Sequence, residues 1–583
     1  MPAILPRDLN PKQLEAATHP GGPLLITAGA GSGKTKTLTS RLLYLLGENI
    51  APESIIAITF TNKAAAEMKE RAERLITEIG IGVSPPFIGT FHSFGARILR
   101  SEAPLVGRTR GFSVYDEDDA VRLIKKILKA ESLDQKKYPY AVIRHKISKV
   151  KNELENAEED EDEVFSRLFS LYESALRDQN AFDFDDLIYK PVYLFENTPG
   201  ILNKYESRYR HILVDEYQDI NTAQYRLVRL LAGKHRNLSV VGDDHQSIYG
   251  FRWSDFRNFL NFEKDWPEAK VVILDQNYRS TKTIVSAASA VIEQNRFQRP
   301  KTLWTENDEG SPIKVAGFSS PESEAEWIVS SIKDPASSAI LYRTNAQSRP
   351  IEQALIMGHI PYMIFGGLRF YDRKEIKDIV ACLRLAMNPL DEMSRDRLLK
   401  EFRKTKIRPV IEELPHMGEI CSPVELIGYI LKETDYIASL KTDFKNAEER
   451  IENISELISF AGNFDSLPEL VERISLLQST DQPRGDEDRA VRLMTVHMAK
   501  GLEFDDVFLA GVSDGILPHE RSLFKASDLE EERRLMYVAM TRAKKSLRIS
   551  FFRTASRFLY EIPPELVEFS DFKFGDEDTI YLD

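Results

Sequence analysis

Short apolar runs, rich in β-branched residues, alternate with segments of helical period over the first third of the chain. Each run has the length of a strand. The predicted strands are 23–28, 55–59, 86–90, 211–215, 238–243 and 270–274, and the first predicted helices are 34–46 and 63–79. Strands that alternate with helices are typical of a parallel sheet covered by helices on both faces.

Two helical stretches interrupt this alternation. The stretch 107–180 is charge-rich and contains no convincing strand, and the stretch 388–483 is also helical by period. Elsewhere the alternation returns, with predicted strands at 314–318, 339–342, 491–496, 507–511 and 547–552. We therefore predict an α/β protein with two similar parallel-sheet cores, each carrying a mainly helical inserted domain.

Composition excludes several classes of protein. Apolar residues make up 42% of the 583 residues and charged residues 29%, which excludes a largely disordered or collagen-like chain. The two cysteines, Cys382 and Cys421, exclude a disulfide framework and a four-cysteine zinc site, and they favour a reducing, cytoplasmic location. No apolar run approaches the roughly 20 residues that span a bilayer, and no signal pattern is present, so we expect no membrane partner.

Charge is unevenly distributed along the chain. The net charge of −13 indicates no overall affinity for nucleic acid, although binding depends on the local charge of a groove. The acidic run 153–163 is interpreted as a solvated helix face or loop. The basic run 395–408 is interpreted either as a set of phosphate contacts or as another solvated helix face.

Residues 28–35, Ala-Gly-Ala-Gly-Ser-Gly-Lys-Thr, follow a predicted strand and open a predicted helix. In such a loop, glycines let backbone N–H groups converge on phosphate oxygens, and the helix N-terminus adds partial positive charge. The lysine then reaches the β- and γ-phosphates, and the threonine hydroxyl ligates Mg²⁺. A plain Gly-rich turn is the alternative, which the Gly-Lys-Thr ending disfavours. The predicted nucleotide contacts in this loop are Gly31, Ser32, Gly33, Lys34 and Thr35.

A pair of acids ends another predicted strand, in the sequence Val-Asp-Glu-Tyr-Gln-Asp at 214–219. Asp215 is predicted to hold Mg²⁺ together with Thr35, either as a direct ligand or through a bound water, and Glu216 to accept a proton from the attacking water. Adjacent acids at the carboxyl edge of a sheet suit metal-assisted phosphoryl transfer. ATP and Mg²⁺ are therefore the predicted cofactors.

Nine motifs follow one another in an order that is far more specific than any one of them. They are AGAGSGKT (28–35), ITFTNKAAAEM (58–68), GTFHSF (89–94), FDFDDL (182–187), VDEYQD (214–219), VVGDDHQSIYGFR (240–252), QNYRS (276–280), TVHMAKGLEF (495–504) and YVAMTRAK (537–544). With these motifs the chain resembles the UvrD/Rep/PcrA-type superfamily 1 DNA helicases over both α/β cores.

The resemblance implies two RecA-like core domains, each with an inserted domain. The implied domains are a first core at 1–108 and 182–277, a helical insertion at 109–181, a second core at 278–385 and 486–560, a shortened and divergent insertion at 386–485, and a short C-terminal tail at 561–583.

The resemblance also implies contacts to the base and sugar of the nucleotide. Gln13 matches a glutamine that reads adenine, Tyr278 a tyrosine that stacks on the base, and Glu503 a ribose contact. Lys36 departs from the family, in which an arginine often follows the phosphate loop. A lysine at this position cannot stack as a flat guanidinium does.

Three further matches concern the γ-phosphate. Arg279 and Arg542 match two arginines that reach it from the second core, in the manner of an arginine finger supplied in cis. Gln246 matches the residue that senses the γ-phosphate and couples it to DNA. For each residue taken alone, a surface salt bridge or a helix cap is the alternative.

Single-stranded DNA is bound by aromatic stacking surfaces together with backbone contacts. The residues predicted to bind it, all within the matched motifs, are Phe60, His92, Tyr249, Phe251, Arg252 and His497. Trp253 stands where relatives usually carry glycine and is a further candidate. Phe182 and Phe184 are also candidates, but packing in a core is an equally good interpretation of both.

The implied function is that of an ATP-dependent DNA helicase that moves 3′ to 5′ in repair or replication. Its expected partners are single-stranded DNA, 3′-tailed duplex DNA and repair or replication proteins. One divergence leaves alternatives open: FRKTKIRPV (402–410) stands where relatives carry a Pro-x-Arg-Gly-Ile-Gly-like turn that contacts duplex DNA. The alternatives are a DNA-stimulated translocase that displaces proteins but unwinds poorly alone, and a helicase-like subunit of a larger nuclease or repair complex.

Overall fold

The computed structural model describes residues 8–79, 84–365, 370–389, 391–444, 446–471, 474 and 489–569. Its contacts divide the chain into two compact units, Met1–Asp308 and Glu309–Asp583. Residues 278–308 have their contacts within the first unit, and the start of the second core at residue 278 stays a prediction.

The first unit is built on a six-stranded sheet whose strands are all parallel. In spatial order these are β3 (Phe87–Thr90), β2 (Ile55–Thr59), β6 (His211–Val214), β7 (Leu238–Gly242), β1 (Leu24–Ala28) and β8 (Lys270–Leu274). Every residue of β1, β2 and β7 is buried, which explains why these strands are unbroken apolar runs in the sequence. All six predicted strands are confirmed.

Helices pack on both faces of this sheet. Apolar residues of α1 (Pro11–Ala17), α2 (Lys34–Gly47) and α3 (Asn62–Ile79) join one core, and those of α4 (Phe91–Glu102), α8 (Asp186–Asn197) and α10 (Thr222–Ala232) join the other. The remaining helices of the unit outside the insertion are α9 (Pro199–Arg208), α11 (Arg257–Leu260), α12 (Phe262–Asp265) and α13 (Lys282–Ile292).

The first insertion has an apolar core of its own. It consists of α5 (Glu117–Ala130), α6 (Tyr140–Glu153) and α7 (Glu163–Asp178), and its two ends are joined by a parallel pair, β4 (Ser113–Tyr115) and β5 (Ala181–Asp183). The expectation of no strand between residues 107 and 180 was wrong at β4. This strand has only three residues, none of them buried, so it leaves no apolar pattern in the sequence.

Seven parallel strands form the sheet of the second unit. In spatial order these are β11 (Tyr362–Ile364), β12 (Val491–Thr495), β10 (Ser338–Tyr342), β13 (Phe504–Leu509), β14 (Ala543–Phe552), β9 (Ile313–Phe318) and β15 (Val567–Phe569). The five predicted strands are confirmed. The two edge strands, β11 and β15, were missed because each has three residues and is only partly buried.

The second insertion is helical, as predicted. In the described part of the insertion, the helices share one apolar core with α16 (Lys374–Met387). Those with both ends described are α17 (Glu392–Glu401), α18 (Lys404–Ile420), α19 (Pro423–Glu433), α20 (Tyr436–Asp443) and α21 (Ala447–Ala461), and residues 467–471 are also helical. The other helices of the unit are α14 (Pro321–Ser331), α15 (Ser348–Met357), α22 (Val496–Ala499) and α23 (Ala526–Met540).

Some predicted features lie beyond the part of the chain that the structure describes. They are most of the helical stretch after residue 471 and residues 570–583 of the predicted tail, whereas β15 lies within that tail. Across the described residues, no helix is both long enough and apolar enough to cross a membrane.

Candidate functional site

The phosphate loop joins β1 to α2. Gly31 and Gly33 have φ angles of +68° and +82°, in the left-handed region that glycine adopts without steric cost. Gly33 is the N-cap of α2, so the loop leads directly into the N-terminus of this helix. A Gly-rich turn at a helix N-terminus is suited to bind an anionic phosphate group.

Gln13 is part of the phosphate loop rather than a side chain that stands apart from it. Its Nε2 donates to the carbonyl oxygen of Ser32 over 2.9 Å, and its Oε1 accepts from the backbone N–H of Asn10 over 3.0 Å. A Cβ atom on Gly33 would lie 2.8 Å from Gln13 Nε2. The amide of Gln13 therefore braces the loop in this structure, and its predicted contact with adenine stays a prediction.

The lysine and threonine of the loop lie beside the two acids that follow β6. Lys34 Nζ is 3.5 Å from Glu216 Oε2, and the Thr35 hydroxyl donates to Asp215 Oδ2 over 3.2 Å. Burial and the Glu216 carboxylate raise the pKa of Asp215 to about 7, and Lys34 acts in the opposite direction. Thr35 and Asp215 thus bring a hydroxyl and a carboxylate oxygen together, and such oxygen ligands fit Mg²⁺.

Glu216 has a backbone conformation that is rare for its type. Its φ is +51°, in the left-handed region, which side chains with a Cβ atom seldom adopt outside functional sites and turns. Gln218 Nε2 donates to Glu216 Oε2 over 2.6 Å and so holds the carboxylate. Gln218 lies within the motif that contains both acids, but its residue type and position alone predict no role at the site.

A second residue that the sequence analysis missed is Asp243, at the end of β7. Its backbone N–H donates to Gln218 Oε1 over 2.9 Å, and its carboxylate accepts from the Nε2 of Gln246. Through these two hydrogen bonds, Asp243 connects Gln218, which holds Glu216, to Gln246. A continuous set of hydrogen bonds therefore joins Glu216, Gln218, Asp243 and Gln246.

Tyr278 and Arg279 lie against the phosphate loop, within the first unit. The Tyr278 N–H donates to the carbonyl oxygen of Gly31 over 3.0 Å, and a Cβ on Gly31 would lie 2.8 Å from the Cβ of Arg279. The Tyr278 side chain is 48% exposed. The structure therefore brings both residues beside the phosphate loop, and their predicted roles toward the base and the γ-phosphate stay predictions.

Three further residues considered as nucleotide contacts, Arg542, Glu503 and Lys36, are bonded to protein groups in this structure. Arg542 is buried in the second unit, where its Nε donates to the carbonyl oxygen of Val538 over 2.9 Å. Glu503 pairs with Lys544 over 2.8 Å. Lys36 pairs with Asp8 over 2.6 Å, so it is held at the edge of the loop. The roles of these residues toward a nucleotide stay predictions.

Four of the predicted DNA-binding residues form one cluster, which we call the aromatic cluster: Phe60, Tyr249, Phe251 and Arg252. The rings of Phe60 and Tyr249 stack at 5.3 Å with 16° between their planes, and Phe251 lies edge-on to Tyr249 at 6.0 Å. The Arg252 guanidinium is 5.6 Å from both Tyr249 and Phe251. Phe251 is 59% exposed, which leaves it accessible for stacking on a base.

His92 and Phe184 form a second stack, at 4.0 Å with 24° between the rings. Burial lowers the pKa of the His92 imidazole to about 4, so the ring is neutral at pH 7. Phe184 is 50% exposed, whereas Phe182 is buried and packs on Phe112 at 4.7 Å. The interpretation as core packing is therefore confirmed for Phe182. The sixth predicted residue, His497, lies in α22 of the second unit.

Trp253 adopts a φ of +67°, in the left-handed region that glycine adopts without steric cost. Its ring lies 4.7 Å from His145 of the first insertion. The interpretation of Trp253 as an additional DNA contact stays a prediction, and the structure adds a contact between this motif and the insertion.

Several residues of the basic run 395–408 and the acidic run 153–163 form ion pairs within the fold. Within the basic run, Arg397 pairs with Asp378 over 2.7 Å and Lys406 pairs with Asp435 over 3.3 Å. Within the acidic run, Glu155 pairs with Lys149 over 2.6 Å. Parts of both runs are therefore paired locally, which favours solvated helix faces over a continuous charged surface.

Comparison with known proteins agrees with this site. Residues 9–267 match the UvrD/REP helicase N-terminal domain, and residues 272–438 and 429–554 match the UvrD-like helicase C-terminal domain. An ATP-dependent DNA helicase PcrA from Bacillus subtilis (strain 168) is 42% identical and aligns with 96% of this chain and 86% of its own length. Proteins of the same name from Staphylococcus epidermidis and Staphylococcus aureus are 39% identical, with 97% and 96% of this chain and 87% of each relative aligned. The chain belongs to the UvrD/REP helicase family.

Proposed function

We propose that this protein is an ATP-dependent DNA helicase that moves 3′ to 5′ along single-stranded DNA. The observation that carries the proposal is the continuity of residues 243–252. This segment begins at Asp243, which is hydrogen-bonded to the nucleotide site, and ends in the aromatic cluster. Through this short segment, a conformational change caused by binding or loss of the γ-phosphate reaches the aromatic cluster, which is suited to stack on bases.

The residues present fit ATP with Mg²⁺. Thr35 and Asp215 would hold the metal, and the loop from Gly31 to Lys34 would hold the phosphates. Mg²⁺ neutralises charge on the phosphate oxygens when it is bound. Tyr278, with its exposed ring, offers a stacking surface for the base beside the loop.

Different side chains have different proposed roles in ATP hydrolysis. Lys34 places an ammonium group at the phosphates, and Glu216 accepts the proton of the attacking water while Gln218 holds its carboxylate. Gln246 orients groups at the γ-phosphate through its amide. We further propose that Arg279 and Arg542 stabilise the charge that develops there, with Gln13 and Glu503 as contacts to base and ribose.

The proposed partners are single-stranded DNA and duplex DNA with a 3′ tail. The aromatic cluster and the His92–Phe184 stack offer π-faces that tolerate any base, which suits movement along a strand of any sequence. The relatives named above are ATP-dependent DNA helicases. We propose the same activity here, with a role in repair or replication in the cytoplasm.

The decisive experiment measures ATP hydrolysis with and without single-stranded DNA, together with unwinding of 3′-tailed and 5′-tailed duplexes. We expect stimulation by DNA and unwinding of the 3′-tailed substrate only. Glu216→Gln serves as the control without hydrolysis. Hydrolysis that does not respond to DNA, or unwinding confined to the 5′-tailed substrate, contradicts the proposal.

One observation favours a second candidate, a translocase that displaces proteins but unwinds poorly alone. The region 402–410, where relatives carry a turn that contacts duplex DNA, is largely helical because α18 begins at Lys404. Lys406 is engaged with Asp435. Translocation with normal DNA-stimulated hydrolysis, but with little strand separation on 3′-tailed duplexes, would select this candidate.

A further inference from the structure

A buried lysine lies behind the proposed γ-phosphate sensor. The side chain of Lys301 is 0% exposed, and its Nζ lies 2.6 Å from one carboxylate oxygen of Asp243 and 2.6 Å from one of Asp244. Lysine is almost never fully buried unless it is paired. Lys301 lies outside the nine motifs, so the sequence alone indicates no role for it.

The segment that carries Lys301 is fastened on both sides. On one side, the Arg299 N–H donates to Asp244 Oδ2 over 2.7 Å. On the other side, Leu303 packs on the phosphate loop so closely that a Cβ on Gly29 would lie 2.2 Å from it. The backbone on both sides of Lys301 is therefore held in place, and its ammonium group is held by the two carboxylates.

Asp243 makes several contacts at once. Its N–H donates to Gln218, one carboxylate oxygen accepts from Gln246 Nε2, and the other accepts from Lys301 and from the His245 N–H. An ionised carboxylate only accepts hydrogen bonds, whereas a protonated one also donates. An ionised Asp243 can accept from Gln246 and Lys301 at the same time, whereas a protonated carboxyl would turn a donor toward one of these two donors.

Lys301 lowers the pKa values of the two adjacent carboxyl groups, Asp243 and Asp244. Burial is the largest single influence and raises the pKa of Asp243, but Lys301, Lys34 and His245 together outweigh burial, and the pKa lies well below its usual range. The pKa of Asp244 is lowered by Lys301 in the same way, against burial and the repulsion of Asp243. Two adjacent buried carboxylates without a cation would instead favour uptake of a proton.

We propose that Lys301 is a positioning residue for ATP hydrolysis: it keeps Asp243 ionised and in place, and Asp243 in turn holds the amide of Gln246. This inference rests on the proposed function, in which Gln246 acts at the γ-phosphate. The alternative is that Lys301 only stabilises the fold, as buried ion pairs in other parts of a protein do.

The experiment compares Lys301→Met with the double variant Lys301→Met/Asp244→Asn in the full-length chain. The formal charge of the Lys301, Asp243 and Asp244 group is −1 in the natural chain, −2 in the single variant and −1 again in the double variant. Lys374→Met is the control, because Lys374 also bridges two carboxylates, Asp378 and Glu401, in the second unit. For each protein, kcat and KM of DNA-stimulated ATP hydrolysis are measured, with folding checked by circular dichroism.

We expect Lys301→Met to lower kcat by about tenfold or more with KM for ATP within about twofold, because a misoriented group costs rate rather than binding. The double variant should recover much of the loss, and Lys374→Met should keep the natural kcat. If Lys301→Met does not fold while the double variant folds and hydrolyses ATP, charge compensation of Asp243 is equally supported.

Three outcomes overturn the inference: an unchanged kcat in Lys301→Met, a change confined to KM, or a folded double variant as slow as the single one. The last result would assign the loss to packing. Absence of hydrolysis in the natural chain would instead refute the proposed function, so the two failures are distinguishable.

Discussion

The side-chain amide of Gln218 donates a hydrogen bond to the carboxylate of Glu216 over 2.6 Å, only two positions along the chain. The same amide accepts from the N–H of Asp243 over 2.9 Å. Glu216 also has a left-handed backbone conformation. The hydrogen bond from Gln218 holds the direction of its carboxylate. The proposed base is thus held from the side of β7, the strand that leads to the proposed sensor.

Gln218→Ala is expected to lower kcat of ATP hydrolysis by about tenfold or more while KM for ATP stays nearly constant, because a base that is out of position slows the reaction without weakening binding. Steady-state hydrolysis at saturating DNA measures both constants. Gln179→Ala, an exposed glutamine of the first insertion, is the control. A KM effect with normal kcat would reassign Gln218 to nucleotide binding.

Lys34→Ala is expected to abolish ATP turnover, because the ammonium group that lies 3.5 Å from Glu216 is the one predicted to reach the β- and γ-phosphates. Lys36→Ala, two positions along the same helix, removes only the pair with Asp8 and should leave kcat largely intact. Both are measured by phosphate release. Near-normal turnover in Lys34→Ala would contradict the assignment of the loop.

Phe251→Ala is expected to uncouple movement from hydrolysis. Loss of one stacking surface weakens DNA binding by about 1–3 kcal/mol per base, and little stability is lost because the side chain is mostly exposed. Basal hydrolysis should persist, while the translocation rate on single-stranded DNA falls. Phe297→Ala, another exposed phenylalanine of the first unit, should behave like the natural chain. Unchanged translocation in Phe251→Ala would make Phe251 a packing residue.

The buried carboxyl group of Glu324 is expected to make the stability of the second unit depend on pH. Burial raises the pKa of its carboxyl from 4.5 to about 7, although the N–H of Gly511 donates to it. Between these values the folded state holds a proton that the unfolded state releases, so this group makes stability fall as pH rises. Glu324→Gln keeps an acceptor for Gly511 and removes the ionisation.

We therefore expect Glu324→Gln to raise the Tm at pH 8 and to change it little at pH 4.5, with a gain on the order of 1–3 kcal/mol at the higher pH. Thermal melts followed by circular dichroism at both pH values measure this. Glu326→Gln, an acid on the same helix, is the control. A destabilised variant at pH 8 would show that the ionised carboxylate is itself favourable.

The sequence was sufficient for the strands of both sheets that are buried on two faces. Such strands carry an unbroken apolar run because neither face meets water, and that run is visible without any knowledge of neighbours. Strands β4, β11 and β15 carry no such signal, since each is three residues long and only partly buried or exposed. Pairing with a neighbouring strand, which is a tertiary property, is what makes them strands.

The sequence alone also indicated the family and the residue types at the site. A Gly-rich strand–helix turn and acids after a strand can be recognised from residues that are neighbours in the sequence. Only the tertiary structure decided that Tyr278 and Arg279 lie on the phosphate loop and that Lys301 lies between Asp243 and Asp244. These contacts join residues far apart in sequence, and their energies come from burial and charge pairing, which exist only once the sheet has brought the segments together.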